Sequence, residues 1–104
     1  MTYENISPSE AKSRMDTNPE AVIVDVRRPD EFVTGHIPGA INVPLADIQD
    51  GNIPPCLADK NAVYLIYCRS GVRSVTAAVT LEKMGYTRLA NFGGILDWPY
   101  EIEH

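Results

Sequence analysis

Runs of apolar and β-branched residues along the chain are separated by polar, turn-forming segments. Residues 21–26 form a continuous run typical of a strand buried on both faces, and residues 62–67 have the same character. Two shorter segments, 40–43 and 87–90, are predicted to be further strands. Because helical segments lie between the strands, the pattern predicts a largely parallel sheet covered on both faces, in one domain over residues 1–104.

Helix-forming segments connect the predicted strands. Ser7 can cap a helix that begins at Pro8 and has Glu10 as the second half of a capping box. That helix should run to about residue 15. The other predicted segments are a short helix over 29–33 ended by Gly35, a helix over 72–84 ended by Gly85, and a turn or helix from Gly93 to Trp98. Residues 46–59 contain glycine and prolines and are predicted to be irregular.

Composition places the chain among ordinary globular domains. Of its 104 residues, 44% are apolar and 22% charged, so disorder is not expected. The net charge of −5 argues against nucleic acid, whose binding rests on cationic contacts to phosphate. The longest apolar runs, about six residues, are too short to cross a membrane, and residues 1–5 lack a signal-peptide pattern. We expect a cytoplasmic monomer with neither nucleic acid nor membrane as a partner.

The two cysteines carry the first chemical signal. Cys56 and Cys68 are too few for a disulfide framework and belong to no CxxC pair or metal-type cluster, which fits a reducing compartment. Cys68 directly follows the predicted buried strand 62–67 and precedes the predicted helix 72–84. In an open α/β sheet, ligands bind at the carboxyl ends of the strands, and a helix N-terminus there favours an anion. Cys68 is therefore the candidate nucleophile.

The loop after Cys68 is rich in small and cationic side chains. Its candidate substrate-binding residues are Arg69, Ser70, Gly71, Val72, Arg73 and Ser74. The small residues let the backbone curl around the sulfur, and the two arginines add positive charge at the rim, which is expected to lower the pKa of the thiol. An increase in acidity of about 100-fold would speed attack only about threefold, because a less basic thiolate is a weaker nucleophile. Stabilising a charged sulfur intermediate is the larger benefit.

The segment from Cys68 to Ser74 resembles the active-site loop of rhodanese-like domains. Further blocks that resemble this family, in the family's order, are 25–27 (Asp-Val-Arg), 31–32 (Glu-Phe), 35–44 (Gly-His-Ile-Pro-Gly-Ala-Ile-Asn-Val-Pro), and Gly93-Gly94 followed by Trp98. Together they cover nearly the whole chain. The resemblance implies an α/β fold, the rhodanese-like three-layer α/β/α sandwich with a parallel central sheet of about five strands.

The resemblance also implies an enzyme of the thiosulfate sulfurtransferase type. Cys68 would take sulfane sulfur from a small anionic donor, thiosulfate or another persulfide, and hold it as a persulfide. It would pass the sulfur to a thiol, cyanide or a protein acceptor, with no metal or organic cofactor. Ser70 is neutral where thiosulfate-specialised members often carry a second cation, which would make thiosulfate a poor donor.

Two alternative functions stay open. The related Cdc25-type phosphatases and arsenate reductases have one more residue between the cysteine and the arginine, which widens the loop enough for phosphate or arsenate. Here four residues separate Cys68 from Arg73, a loop sized for sulfur. The other alternative is a non-catalytic interaction module, although such modules commonly lose the cysteine.

Charged residues outside the loop are candidates for supporting roles. Asp25 and Arg27, at the end of the run 21–26, are expected to pair with each other or with Glu31 and to hold the loop in place. His36 is expected to make a loop hydrogen bond rather than to act in catalysis, because glycines and a proline surround it.

The remaining candidates concern Cys56 and the C-terminal segment. Cys56 lies in a loop, where a resolving role would give a disulfide with Cys68 on oxidation. Trp98 is expected to be a packing residue. Residues 101–103 are expected to be a solvated acidic end.

Overall fold

The computed structural model of the protein describes residues 3–104, which fold around a five-stranded parallel sheet. The elements in chain order are β1 (Tyr3–Asn5), α1 (Pro8–Thr17), β2 (Val22–Asp25), α2 (Pro29–Phe32), β3 (Ile41–Asn42), α3 (Leu45–Gln49), β4 (Val63–Cys68), α4 (Val72–Lys83) and β5 (Arg88–Gly94), with 3-10 turns at Pro55–Leu57 and Ile95–Asp97. The strand order across the sheet is β1-β5-β4-β2-β3. In the described part of the chain, no helix has the length and apolar character needed to cross a bilayer.

Apolar side chains cover both faces of the sheet. Along β4, Tyr64, Ile66 and Cys68 belong to the core cluster formed with α3 and α4. Leu65 and Tyr67 belong to the opposite cluster, which includes α1 and Trp98. The alternation along this central strand therefore produces the predicted three layers, and Trp98 is a packing residue as expected.

The four strands predicted from the sequence are present, and so are the helices predicted over 8–15, 29–33 and 72–84. Gly85 follows α4 with a φ of +98°, in the left-handed region that ends helices. Ser7 caps α1 by accepting the Glu10 backbone N–H at 3.1 Å. The capping box is incomplete, because the Glu10 carboxylate accepts instead from Arg14 Nε at 3.1 Å.

Two predictions about the elements are wrong, and one strand is missing from the predicted set. β1 is a strand that the pattern does not predict, since it is short and of its three residues two are exposed. Residues 46–59 are not wholly irregular, because α3 and the turn at Pro55–Leu57 each bury one apolar residue in the core, Ile48 and Leu57. β5 runs to Gly94 rather than ending at residue 90, so the final turn starts only at Ile95.

The carboxyl ends of adjacent parallel strands meet at one edge of the sheet. Asp25 ends β2, Cys68 ends β4 and Gly94 ends β5. Cys68 is paired with Gly94 across a register shift between β4 and β5. This edge therefore brings the predicted nucleophile against the glycine pair that the sequence places far away.

Candidate active site

Cys68 lies at the base of a tight loop between β4 and α4, and the residue is only 1% exposed. The chain reverses at Gly71, whose φ of +107° is in the left-handed region that favours glycine. This turn aims the Gly71 backbone N–H at Cys68 Sγ, 3.0 Å away, and α4 starts at the next residue. The predicted arrangement of strand, loop and helix is confirmed.

Hydrogen-bond donors around Cys68 control its ionisation. Burial alone would raise the pKa of the Cys68 thiol, because it disfavours the charged form. The thiolate can accept hydrogen bonds from the Ser74 hydroxyl and from the backbone N–H groups of Ser74, Gly71 and Ser70; these outweigh burial, and the pKa is lowered. The shift has the predicted direction, and backbone groups and a hydroxyl supply it. Such a site stabilises a charged sulfur.

The end of β5 forms one wall of the loop. The Leu96 backbone N–H donates to the Arg69 carbonyl oxygen at 3.2 Å. A Cβ on Gly94 would lie 2.0 Å from that same oxygen and 2.6 Å from Ser70 Cα, so only glycine fits there. Gly94 therefore fixes the position of the loop through direct backbone contact.

Arg73 is held in an ion pair with α2. Its two terminal nitrogens donate to the Glu31 carboxylate oxygens at 2.6 and 3.0 Å. The hydrogen bonds from Arg73 lower the pKa of Glu31 to about 2. Glu31 thus pairs with Arg73 and not with Arg27, and the positive charge of Arg73 is balanced rather than free at the rim.

Replacing Glu31 with glutamine should destabilise the protein at neutral pH by about 1 to 2 kcal/mol, a figure reduced for solvent screening. Because folding lowers the pKa of Glu31 to about 2, the ion pair contributes fully above the ordinary carboxyl range and is lost as the pH falls through about 2. Denaturant unfolding of both proteins across this range should show the difference narrowing as the pH falls. A difference that did not vary with pH would contradict a stabilising ion pair.

A cavity of about 380 Å³ lies beside the cysteine loop. It is lined by Arg27, Glu31, Thr34, Gly35, Arg69, Ile95, Leu96, Ile102 and His104. Arg69 is exposed at this cavity, whereas Arg27 is buried. Of the two loop arginines, Arg69 is therefore the one placed to meet an anion that enters from solvent.

Asp25 and Arg27 form a buried ion pair at the end of β2. Arg27 Nη2 donates to Asp25 Oδ2 at 2.8 Å, and Arg27 Nε contacts both carboxylate oxygens. The same Nη2 donates to the Gly35 carbonyl oxygen at 2.7 Å. The predicted pairing of Asp25 with Arg27 is confirmed, and it ties β2 to the loop that follows α2.

His36 makes the loop hydrogen bonds that the sequence suggests. Its Nδ1 lies 3.1 Å from the Phe32 carbonyl oxygen, and its ring stacks on the Phe32 ring with 3.9 Å between centroids. The His36 backbone also forms a two-way bridge with Glu103, with N···O distances of 2.8 and 2.9 Å. Residues 101–103 are exposed, as expected for a solvated end, and this bridge in addition fastens the C-terminal segment to the loop that follows α2.

Asn91 lies behind the cysteine and is not among the residues that the sequence pattern singles out. Asn91 is 7% exposed, and its Oδ1 lies 2.6 Å from Ser74 Oγ and 3.1 Å from the Gly93 nitrogen. The signal that could have found it is an amide inside an otherwise apolar strand, because buried polar side chains need partners.

Cys56 is exposed in the turn Pro55–Leu57, away from the site. The turn and the residues just after it are anchored by the Tyr86 hydroxyl, which donates to the Leu57 carbonyl, and by the Tyr64 hydroxyl, which donates to the Asp59 carbonyl. Both tyrosines lie toward the amino ends of the strands, and Tyr64 precedes Cys68 by about 13 Å of strand. This location does not favour a disulfide with Cys68. Within residues 3–104, no three His, Cys, Asp or Glu side chains are arranged to hold a metal ion.

Three comparisons with known proteins agree with this geometry. The model of the rhodanese-like domain family matches residues 7–100. A sulfurtransferase from Allochromatium vinosum is 39% identical over 101 residues, covering 94% of this chain and 89% of that protein. Thiosulfate sulfurtransferase PspE from Escherichia coli is 39% identical over 74 residues, covering 71% of this chain and 70% of that protein. The crystal structure of a rhodanese-like domain protein from Staphylococcus aureus has a TM-score of 0.81 at 33% identity and covers 96% of both chains.

Proposed function

The chain belongs to the rhodanese-like domain family and is by homology a sulfurtransferase, and from this premise we propose that Cys68 carries the transferred sulfur as a persulfide. The observation that carries the proposal is the convergence of the Ser74 hydroxyl and backbone N–H groups on the buried Cys68 sulfur. Donors in a water-poor loop stabilise a charge that forms there during reaction.

The proposed reaction has two displacement steps. The Cys68 thiolate attacks the sulfane sulfur of the donor, the donor's S–S bond breaks, and sulfite leaves with the bonding electrons when the donor is thiosulfate. A thiolate or cyanide acceptor then attacks the outer sulfur of the persulfide, and Cys68 leaves as thiolate. No net oxidation occurs, and no metal or organic cofactor is required.

The other loop residues would bind and stabilise the reacting groups. We assign Arg69 to attraction of the anionic donor, and the backbone of residues 70–72 together with Ser74 to stabilisation of the sulfur. Arg73 would position the first turn of α4 through Glu31, 2.6 Å away. Asp25 and Arg27 would support the loop from β2 through their buried ion pair.

The charges at the loop support a persulfide over thiosulfate as the better donor. Arg73 is neutralised by Glu31, and Ser70 is neutral, so Arg69 is the exposed cation of the loop. The chain as a whole carries a charge of −5, which repels a small dianion more than a neutral or singly charged persulfide. We propose that the reaction takes place in the cytoplasm, where free thiols persist and can serve as acceptors.

The proposal is tested by mass spectrometry of the intact protein after exposure to thiosulfate or to a low-molecular-weight persulfide. We expect a gain of one sulfur atom on Cys68, removed by cyanide or a thiol, and a larger yield from the persulfide. A Cys56→Ser variant should gain the same sulfur, which assigns it to Cys68. No sulfur gain from either donor, or turnover of an aryl phosphate at the same site, would overturn the proposal in favour of an interaction module or a phosphatase.

A further inference from the structure

The buried amide of Asn91 controls a group that touches the reacting sulfur. We propose that Asn91 is a positioning residue: it holds the single proton of the Ser74 hydroxyl away from Cys68 until the sulfur becomes an anion. The inference rests on the proposed sulfur transfer for its relevance. The hydrogen bonds that carry it are independent of which sulfur donor is used.

The orientation of the Asn91 side chain is fixed by its neighbours. The Gly93 backbone N–H can only donate, so the Asn91 atom 3.1 Å away is the oxygen Oδ1. The nitrogen Nδ2 then points the other way and donates to Asn5 Oδ1 on β1 at 3.1 Å. With both ends held, Oδ1 is presented to Ser74 Oγ at 2.6 Å.

The Ser74 hydroxyl has one proton and several candidate acceptors. Its oxygen lies 2.6 Å from Asn91 Oδ1, 3.1 Å from the Gly71 carbonyl and 3.4 Å from the Gly93 carbonyl. Because the shortest contact is to Asn91, the proton points to that oxygen in the resting protein. The Ser74 lone pairs then face Cys68, whose thiol donates to Ser74 Oγ at 3.5 Å.

Ionisation of Cys68 reverses this arrangement. A thiolate or persulfide anion has no proton to give and needs a donor, so the Ser74 hydroxyl must rotate its proton from Asn91 to the sulfur. The Asn91 oxygen keeps the Gly93 N–H and loses the Ser74 donor. Asn91 therefore competes with the sulfur anion for one proton, and it favours the neutral thiol in the resting enzyme.

The charged groups near the site do not depend on Asn91. From α4 and α2, Arg73 and Glu31 face the loop as a closed ion pair. From β2, Asp25 and Arg27 form the buried pair. A substitution at Asn91 leaves both pairs in place, so a change in the ionisation of Cys68 would reflect a change in the hydrogen bonding of the Ser74 hydroxyl.

The test compares Asn91→Leu with the parent Asn91 in a Cys56→Ser background, where Cys68 is the remaining cysteine. Leucine is close to asparagine in size and branching, but it has no oxygen that can accept from Ser74. The thiolate fraction of Cys68 is followed by ultraviolet absorbance against pH, which requires no sulfur transfer. Loss of one neutral hydrogen bond changes an equilibrium by about fivefold, so Asn91→Leu should show about fivefold more thiolate than the parent below the midpoint.

Repeating the comparison in a Ser74→Ala background tests whether Asn91 acts on Cys68 through the Ser74 hydroxyl. There the difference between Asn91→Leu and the parent Asn91 should disappear, because the competing proton is absent. Less thiolate in Asn91→Leu, equal midpoints for the pair, or an undiminished difference without Ser74 would each overturn the inference. Should Asn91→Leu fail to fold, Asn91→Ala gives the same comparison against the parent. If the thiolate fraction shifts as expected but no persulfide forms, the proposed function is rejected and the inference about Asn91 stands.

Discussion

A Cys68→Ser variant should take up no sulfur and should transfer none above the uncatalysed background. A serine oxygen cannot form the S–S bond of a persulfide, and its proton is far less acidic than that of the thiol. Serine is also close in size to cysteine and can accept from the Gly71 N–H that lies 3.0 Å from the sulfur. The fold should therefore survive, and the loss is chemical. Release of sulfite or thiocyanate and the intact mass of the protein measure it.

The second cysteine provides the matched control for this experiment. Cys56 is exposed in a turn anchored near the amino ends of the strands, so Cys56→Ser should retain the parent rate. Sulfur uptake that persisted in Cys68→Ser and vanished in Cys56→Ser would identify Cys56 as the nucleophile. Full activity in both variants would remove a persulfide from the mechanism.

Alanine at position 94 should destroy the site and cost at least about 4 kcal/mol of folding free energy. Its Cβ would lie 2.0 Å from the Arg69 carbonyl oxygen and 2.6 Å from Ser70 Cα. Both atoms belong to the backbone of the cysteine loop, which cannot move aside as a flexible side chain can. Gly94→Ala should therefore lose both its folding free energy, measured by denaturant unfolding, and its ability to form the persulfide.

The neighbouring glycine separates steric overlap from backbone strain. Gly94 has an ordinary φ of −138°, so its requirement is for space alone. Gly93 has a φ of +92°, and a Cβ added there would meet nothing within 4 Å, so its requirement is conformational alone. Gly93→Ala should cost only about 1 to 2 kcal/mol and keep its persulfide. Equal losses in the two variants would mean that overlap with the loop is not the cause.

The centre of the molecule was predictable because its signals are local. The buried run of β4, the cysteine that follows and the small residues that begin α4 are contiguous in the chain, so strand, loop and helix can be placed without knowing the rest of the fold. β1 gives no comparable signal. It exists because it pairs in parallel with β5, some 86 residues away along the chain. Such pairing does not produce a recognisable sequence pattern in a three-residue segment.

The site was predictable as far as its nucleophile and loop, and not in its electrostatics. Arg73 has its partner 42 residues away on α2, so sequence shows two rim cations where the fold leaves one exposed. Asn91 reaches Ser74 only because β5 lies beside β4. In both cases the missing information is the tertiary contact that decides which polar groups meet.

The bridge between His36 and Glu103 bears on how the protein can be labelled or fused. It holds the C-terminal segment against the site, and His104 lines the cavity beside the cysteine loop. A tag or domain joined after residue 104 would therefore start at this cavity and obstruct large acceptors. The amino end of β1 lies at the opposite end of the parallel strands, because Tyr3 pairs with Leu89 near the start of β5. Attachment at that end would leave the cavity beside the cysteine loop accessible when the protein is immobilised or used to capture a reaction partner.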